Sequence, residues 1–244
     1  MKRQKIRKTI IMISFLLFPI TIWYFSPYLI IQAAMEHIIN GSFIVFVTML
    51  VLSMFLGRVW CGYLCPVGGL GECLSRINDD PVKQGWRDKI KYVIWTLWII
   101  AVIITFILGK SDVTINPFYM TNHGISVSEI YNYIIYYGVL FLMVLPALLH
   151  GKRAACHYIC WMAPFMVIGS TIGRFLHLPQ LHIEADKDAC VSCRKCNQAC
   201  PMGLDVRKMV ESGTNHKCSE CVLCGACVDN CPKKVLKYKW VWSK

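Results

Sequence analysis

Fourteen cysteines are the residues of this chain whose types and spacing indicate chemistry. Eight of them lie in two runs near the C-terminus, each with the spacing C-x2-C-x2-C-x3-C followed by proline. The runs comprise Cys190, Cys193, Cys196 and Cys200, then Cys221, Cys224, Cys227 and Cys231. Thiolates bind iron strongly, and four thiolates at this spacing are typical of a 4Fe–4S cluster. The pattern therefore predicts two such clusters rather than a zinc site or a disulfide framework.

The ligands are assigned by a rule of two-cluster bacterial ferredoxins, in which the fourth cysteine of each run binds the other cluster. Cluster I then takes Cys190, Cys193, Cys196 and Cys231, and cluster II takes Cys221, Cys224, Cys227 and Cys200. The flanking segments 180–184 and 235–239 alternate apolar and polar residues, as paired half-buried strands do. We therefore predict a small α+β ferredoxin domain over residues 179–244, with a short helix at 205–211.

Four further cysteines form two C-x3-C pairs inside the pattern Arg-x-x-Cys-x-Tyr-x-Cys, which spans 58–65 and recurs 95 residues later at 153–160. Residues i and i+4 share a helix face, so two converging pairs would offer four soft ligands. The alternatives are a third iron–sulfur cluster or another thiophilic metal, a redox-active thiol site, and thiols that only pack. They apply to Cys61, Cys65, Cys156 and Cys160. Arg58 and Arg153 either stabilise a thiolate or cluster charge or are ordinary interfacial arginines. Cys73 and Cys218 belong to neither pattern.

Long apolar runs precede the cluster motifs and predict an all-α polytopic membrane domain over residues 1–178. The chain is 56% hydrophobic, with a mean hydropathy of +0.47. Four runs are long enough to be predicted as transmembrane helices, at 9–31, 42–57, 92–108 and 131–149, the first of them interrupted by Pro19 and Pro27. The apolar segment 161–176 is short for a crossing and contains Pro164, so we expect a re-entrant or interfacial segment there. A fifth span is the alternative.

The net charge of +12 is concentrated at the ends of these runs, which indicates membrane topology rather than nucleic-acid binding. The N-terminus, the 76–91 loop and the 152–153 region are basic. The 32–40 loop has no Lys or Arg, and the 109–130 loop has one Lys. Four spans then place the N-terminus, both C-x3-C pairs and the ferredoxin domain on the cytoplasmic side.

The recurring cysteine pattern also predicts an internal repeat. Each copy of the pattern follows two apolar runs. The membrane domain is therefore predicted to consist of two units, each made of two helices and a cysteine loop. Two spans per unit return the chain to the same face. The repeats should therefore be parallel and related by a pseudo-two-fold axis along the membrane normal. Such an axis would bring all four C-x3-C thiols to one membrane face.

The segment Trp-Cys-Gly-Tyr-Leu-Cys-Pro at 60–66, the related 156–160, the four spans and the double cluster motif resemble the NapH/MauN-like family of membrane-bound ferredoxin-type proteins. The nitrous-oxide-reductase regulator NosR and a cytochrome-oxidase accessory protein share this membrane module. The resemblance implies a multi-pass protein of a prokaryotic inner membrane, acting as a quinol dehydrogenase-type subunit. The chain departs from the family at its second pair, where Trp161 follows Cys160 and the proline comes only at Pro164.

Three functions fit these features. The first is electron transfer between the quinone pool and a partner redox enzyme, as one subunit of an oxidoreductase complex. Quinones are confined to the bilayer, and iron–sulfur clusters take single electrons. The second is an assembly or maturation factor that reduces a metal or a disulfide in a partner oxidoreductase through the C-x3-C pairs. The third is a non-catalytic membrane anchor and wiring subunit of a larger redox complex.

Six histidines are candidates for quinone proton chemistry or haem ligation, although structural roles fit their spacing better. They are His37, His123, His150, His157, His177 and His182. The sequence contains no nucleotide fingerprint, flavin motif or P-loop, so direct use of a nicotinamide cofactor is not expected.

Overall fold

A computed structural model describes residues 2–83, 85–109, 112–212 and 218–242. Residues 213–217 and 243–244 of the predicted ferredoxin domain lie outside these ranges. The membrane part opens with α1 (Lys2–Leu16), α2 (Phe18–Thr21), a 3₁₀ turn (Ile22–Phe25), α3 (Pro27–Met35), strand β1 (Ile38–Asn40) and α4 (Gly41–Leu56). It continues with α5 (Val59–Tyr63), α6 (Pro66–Leu74), a second 3₁₀ turn (Trp86–Lys89), α7 (Ile90–Leu108), strand β2 (Thr114–Asn116), α8 (Ile130–His150), α9 (Ala154–Tyr158) and α10 (Ala163–Phe175).

The first predicted span, 9–31, is broken near Pro19 and Pro27, as the sequence predicts. The chain bends by 60° between Lys2–Leu16 and Phe18–Phe25, and α3 then starts a new helix at Pro27. Proline cannot donate an intrahelical hydrogen bond and is favoured in a first helical turn, where Pro19 and Pro27 both lie. The Ser26 side chain caps α3 by accepting a hydrogen bond from the Leu29 N–H.

Two helices are long and apolar enough to cross a membrane, Trp86–Leu108 and Ile130–His150. The bent pair at the N-terminus makes a third candidate if it counts as one span. Helix α4 has 16 residues and is about 24 Å long, which is short for a bilayer core. The described residues thus contain two or three candidate spans, whereas the sequence predicted four.

The two loops with few basic residues meet at one end of the helices. Strands β1 and β2 pair in parallel, with Ile38 opposite Thr114 and Asn40 opposite Asn116. The Ser126 N–H donates a hydrogen bond to the carbonyl of Ile20, which ties the second loop to the bend after α1. The N-terminus, the C-x3-C pairs and the ferredoxin domain lie together at the opposite end.

Helix α10 packs along α4 over two turns. The Phe165 ring packs on Phe46, near the middle of α4, with 5.0 Å between ring centroids. One and two turns later, Gly169 and Gly173 lie against the α4 backbone near Leu50 and Met54. Helix α10 therefore runs alongside α4 back toward the face that carries the ferredoxin domain.

The ferredoxin domain contains β3 (Pro179–Ala185), α11 (Lys195–Ala199), α12 (Val206–Ser212), α13 (Ala226–Asn230) and β4 (Leu236–Trp242). Strands β3 and β4 are antiparallel, with Pro179 opposite Trp242 and Ala185 opposite Leu236. The predicted strands and the short helix between the motifs are present. The Pro179 end of this ribbon follows α10 directly.

Candidate metal centres

One cavity of the ferredoxin domain is lined by the four cysteines that the sequence assigned to cluster I. Three of them, Cys190, Cys193 and Cys196, come from the loop before α11 and its first turn, and Cys231 follows α13. Apolar side chains, including Val210 and Leu236, complete the lining. The fold thus brings the fourth cysteine of the second run to the first run.

A second cavity is lined by the four cysteines assigned to cluster II. Cys221, Cys224 and Cys227 come from the second run, and Cys200 follows α11. Its remaining lining is mostly apolar and includes Ile183, Met202, Leu204 and Met209. The exchange of fourth cysteines is therefore reciprocal in the structure. Metal ligation by either set remains a prediction.

Both runs use the same backbone conformation at equivalent positions. The φ angles are 52° at Ser192 and 61° at Arg194 in the first run, and 49° at Leu223 and 70° at Gly225 in the second. Non-glycine residues rarely adopt this left-handed conformation. Left-handed residues in tight loops are typical of concave sets of backbone N–H groups, which bind anions and iron–sulfur clusters. The backbone and the donor atoms of both runs therefore fit the predicted clusters.

The surroundings of the two cavities differ. Cys193 is exposed, whereas Cys200, Cys224 and Cys227 are buried. Burial raises the pKa of the Cys200 thiol to about 11, and the charge of Cys224 adds to this shift. Because metal ligation requires the thiolate, a bound metal would have to displace a tightly held proton at this second site.

The C-x3-C pairs lie on two loops with the same local structure. Helices α5 and α9 are both five residues long and lie 95 residues apart. The N–H of Cys61 donates to the Arg58 carbonyl at 3.1 Å, and the N–H of Cys156 donates to the Arg153 carbonyl at 2.9 Å. Each loop leads into a helix with proline in its first turn, Pro66 in α6 and Pro164 in α10. The displaced proline of the second pair thus still begins a helix.

The structure brings the four C-x3-C thiols together in one buried group. Their exposed fractions are 7%, 3%, 9% and 5% for Cys61, Cys65, Cys156 and Cys160. Burial raises the pKa of Cys65, and the charges of the other three thiols raise it further. Burial and then the charges of Cys156 and Cys61 raise the pKa of Cys160 to about 12. Thiols from both loops are therefore close enough to repel one another as thiolates.

Two buried arginines flank this group. Arg58 interacts electrostatically with Cys61 and Cys160, and Arg153 with Cys156 and Cys65. Both side chains are buried, and Nε of each, together with Nη2 of Arg58, has no hydrogen-bond partner among the described residues. Buried donors are normally satisfied, and an anionic thiolate-bound group between the arginines would satisfy them. The donor set therefore fits a third metal site.

Within the described parts of the chain, no three His, Cys, Asp or Glu side chains converge as ligands of one metal ion. The cysteines of a 4Fe–4S cluster each bind a different iron, so they are held further apart than ligands that share one ion.

The cluster II loop is in direct contact with the first C-x3-C loop. A Cβ atom added at Gly62 would lie 3.5 Å from both Cα and Cβ of Cys224 and against the carbonyl of Val222. The Cys224 carbonyl accepts hydrogen bonds from the Gln4 side chain at 3.0 Å and from the Tyr63 hydroxyl at 3.5 Å. Glycine at 62 thus allows the two loops to touch.

A buried ion-pair network stabilises the contact between the cluster II loop and the first C-x3-C loop. Glu220, next to Cys221, accepts from Arg58 Nη1 at 3.0 Å and from Lys91 Nζ at 2.5 Å. Burial raises the pKa of Glu220, but the charges of Arg58 and Lys91 outweigh burial and lower it. His157 Nδ1 lies 3.7 Å from the Glu220 carboxylate. Charges of both domains therefore neutralise one another at the interface.

Glu72 on α6 is the centre of a second network. Its Oε1 accepts from Arg7 Nη2 at 2.9 Å and from Arg153 Nη2 at 3.0 Å. Arg153 also donates to the carbonyls of Cys61 and Gly68. Sequence analysis missed Glu72 and Glu220, although a lone carboxylate beside apolar and cysteine-rich segments was a usable signal.

Of the six candidate histidines, His37 lines an apolar cavity of about 310 Å³ between α3, α4 and α7. This cavity lies at the end of the helices opposite the cysteines, and Ile30, Phe43 and Phe106 contribute to its walls. The His37 ring nitrogen Nε2 is 2.8 Å from the Phe106 carbonyl. His157 is fully buried, with its Nε2 at 2.9 Å from the Met202 carbonyl.

Two family models match the chain: a 4Fe-4S binding domain over residues 41–89, and a 4Fe-4S dicluster domain over residues 182–232. The first covers Cys61 and Cys65, and the second covers both cluster runs.

Proteins similar to this chain include an electron transport protein and a ferredoxin-type protein. The chain is 22% identical to the putative electron transport protein YccM of Escherichia coli, over 84% of this chain and 57% of YccM. It is 24% identical to protein RdxA of Cereibacter sphaeroides, over 89% of this chain and 47% of RdxA. It is 22% identical to the ferredoxin-type protein NapH of Haemophilus influenzae, over 74% of this chain and 62% of NapH. No solved structure matches the chain. The resemblance found in the sequence is confirmed: the chain carries 4Fe-4S binding domains and is similar to NapH-like ferredoxin-type and electron transport proteins.

Proposed function

We propose that this chain transfers electrons between the membrane quinone pool and a partner redox enzyme, as one subunit of an oxidoreductase complex in a prokaryotic inner membrane. The observation that carries the proposal is the contact between Gly62 and Cys224. It places the predicted cluster II site directly against the loop of the first C-x3-C pair. The two ferredoxin cluster sites and the C-x3-C loops then form one electron path, with the ferredoxin domain on the cytoplasmic side.

The path has three sites. Cluster I would be held by Cys190, Cys193, Cys196 and Cys231, and cluster II by Cys221, Cys224, Cys227 and Cys200. A third iron–sulfur cluster or another thiophilic metal would be held by Cys61, Cys65, Cys156 and Cys160. When bound, each 4Fe–4S cluster supplies a couple that takes up or gives one electron.

The chain's own residues prepare the third site. Burial of the four thiols excludes water from it. Arg58 and Arg153 hold two positive charges beside the thiols, where the low dielectric strengthens their effect. The Arg58–Glu220 pair links this charge to the segment before Cys221. These groups stabilise negative charge at the point where the membrane domain meets the ferredoxin domain.

Helix contacts support the predicted parallel repeat. Helix α6 packs against α1 and α8, and α10 packs against α7 and α4. Each of these helices therefore contacts the first helix of its own copy and the second helix of the other copy. A pseudo-two-fold axis along the membrane normal would produce this exchange. Four spans are then α1 with the bent segment to Phe25, α4, α7 and α8.

The quinone part of the proposal rests on the membrane setting. Quinol oxidation releases two electrons and two protons, and quinones stay in the bilayer. The cavity beside His37 is apolar, lies among membrane helices and has the size of small-molecule sites. It supports a membrane-dissolved ligand such as quinone.

Quinol-dependent reduction tests the proposed function. The full chain in lipid nanodiscs is mixed with a reduced short-chain quinol, and cluster reduction is followed by EPR. We expect quinol to reduce the clusters without any further protein. Clusters that dithionite reduces but quinol does not would contradict the proposal and favour the wiring-subunit alternative.

Iron quantification tests the third site separately. We expect about twelve irons per chain in the wild type and about eight in a Cys61→Ser/Cys156→Ser variant. A Cys73→Ser variant is the matched control, since Cys73 belongs to neither motif, and it should keep the wild-type iron content. About eight irons in all three proteins would rule out a third cluster.

One contact favours the assembly-factor alternative. Cys61 Sγ lies 3.8 Å from Met166 Sδ, and a thiol beside a thioether is a donor set that suits Cu(I). In that case the chain would reduce a metal or a disulfide in a partner oxidoreductase. Cu(I) binding that the Cys61→Ser/Cys156→Ser variant loses, with iron content unchanged, would select this function.

A further inference from the structure

We propose that the basic surface around the cluster I cavity is the docking site for an acidic protein that carries single electrons. The inference rests on the proposed function, because it names the partner surface of the same electron path. The surface consists of the exposed rim residues Arg194, Lys195, Lys233 and Lys234, together with Arg207 and Lys208 on α12.

Accessibility distinguishes this surface from the rest of the path. Cys193 is exposed, and its neighbour Val191 is 57% exposed. Cluster II is covered instead, because Gln4, Gly62 and Tyr63 lie against the Cys224 backbone. Electron transfer between proteins needs close approach of the two redox centres. A soluble partner therefore reaches the path most directly at cluster I.

Charge determines the kind of partner. The cavity is lined by three basic residues, Arg194, Arg207 and Lys233, and its lining contains no Asp or Glu. Acidic groups around the cavity are engaged locally: Glu211 pairs with Arg207 at 2.8 Å, and Asp205 accepts from Asn197. Glu184 and Asp186 line a neighbouring cavity with Lys233 and Lys234, and they too have local partners: Glu184 pairs with Lys239, and Asp186 accepts from the N–H groups of Asp188 and Ala189. A positive surface attracts and orients a protein with an acidic surface and repels basic ones.

Anionic lipid does not explain these charges. The cavity lies beside Val235 and Leu236, at the Ala185 end of the β3–β4 ribbon. Seven paired residues separate that end by about 20 Å, measured along the ribbon, from the Pro179 end, which follows α10 directly. Basic residues that follow the positive-inside rule lie beside membrane spans instead, as in the 76–91 loop.

The exchange at this surface is a simple transfer. One electron passes between cluster I and a one-electron centre of the partner, such as a flavin or an iron–sulfur cluster. One centre is oxidised as the other is reduced, and no bond forms or breaks. The basic residues act on the encounter and hold the two surfaces together.

A charge-reversal experiment tests the surface. The full chain in phosphatidylcholine nanodiscs is titrated with a fluorescently labelled acidic flavodoxin, and binding is followed by anisotropy. We expect the Kd of a Lys208→Glu/Lys234→Glu variant, in which both exposed lysines lie outside the cavity lining, to rise about tenfold and to depend less on salt than that of the wild type. A basic cytochrome c should bind the variant more tightly than the wild type.

A matched control is Lys83→Glu/Lys89→Glu, which makes the same charge change at two exposed lysines near the membrane helices. Its Kd should stay within twofold of the wild-type value. An equal loss in both variants, or wild-type binding that is absent or independent of salt, would overturn the proposal. Iron content and quinol reduction should be unchanged in both variants. If quinol does not reduce the clusters of the wild-type protein, the proposed function is contradicted, whereas the result of the docking experiment still stands.

Discussion

The two predicted cluster sites share a motif and a backbone conformation, but they have opposite surroundings. Cluster I has an exposed cysteine and a basic rim, whereas cluster II has buried cysteines and lies against the membrane domain. The motif determines which thiols come together. The neighbouring residues determine whether the site faces a soluble partner or the membrane, so the same sequence pattern is used for an outer and an inner site.

The largest expected effect comes from a side chain at Gly62, which would separate the inner site from the C-x3-C loop. In Gly62→Val the added atoms meet the Val222 carbonyl and Cys224. We expect quinol-dependent cluster reduction to slow severalfold, because the added atoms push the two loops apart and electron transfer between two centres slows steeply with distance. Stopped-flow absorbance with quinol measures the rate.

Gly138→Val is the control for this change, because a Cβ at Gly138 meets nothing within 4 Å. It should reduce at the wild-type rate. Dithionite-reducible iron should be the same in all three proteins. Wild-type kinetics in Gly62→Val would show that the inner contact does not carry electrons.

Removing Glu220 weakens the inner site in a second way. Glu220→Ala leaves the buried Arg58 and Lys91 without their shared carboxylate, a loss that typically costs about 3–5 kcal/mol. We expect a lower midpoint of thermal unfolding and faster hydrogen exchange around Cys221 than around Cys193. The control Glu184→Ala removes an exposed pair with Lys239 and should cost less than about 1 kcal/mol. Equal losses in the two variants would contradict the buried role of Glu220.

Chelation compares the two sites in the unmodified protein. A hydrophilic iron chelator should remove cluster I several times faster than cluster II, because Cys193 is exposed and the cluster II cysteines are mostly buried. EPR of samples taken during the reaction, together with iron analysis, gives the two rates. Simultaneous loss of both signals would show that burial does not protect the inner site.

The smallest expected effect is the pH dependence of stability that comes from the ion pairs of Glu72 with Arg7 and Arg153. Burial raises the pKa of Glu72, but the charges of Arg153 and Arg7 outweigh it and lower the pKa. The ionised carboxylate therefore stabilises the fold above its ordinary pKa of about 4.3, and this stabilisation is lost as the pH falls through the lowered folded-state value. Between pH 7 and pH 4, the melting temperature of Glu72→Gln should fall less than that of the wild type. An equal or larger fall in the variant would exclude this role.

The cysteine sites could be predicted from the sequence because the spacing of the cysteines within each run is typical of cluster ligands. The grouping of Cys231 with the first run and Cys200 with the second follows from the motif alone. The buried carboxylates required tertiary structure, since Glu220 meets Arg58 and Lys91 from segments more than 120 residues away. The interruption of span 9–31 could also be predicted, because Pro19 and Pro27 determine where helices begin, whereas the 60° bend between the segments required the structure.

The first turn of α1 is completed by a part of the chain that is made much later. Arg3 pairs with Asp229 at 2.7 Å and lies over the Tyr238 ring, across 226 residues of sequence. During synthesis Arg3 is made long before its partner, so the Arg3–Asp229 pair forms only after the helices between them have been made. A chain truncated before Asp229 would leave Arg3 without this carboxylate, and the first turn of α1 would lack its tie to the ferredoxin domain.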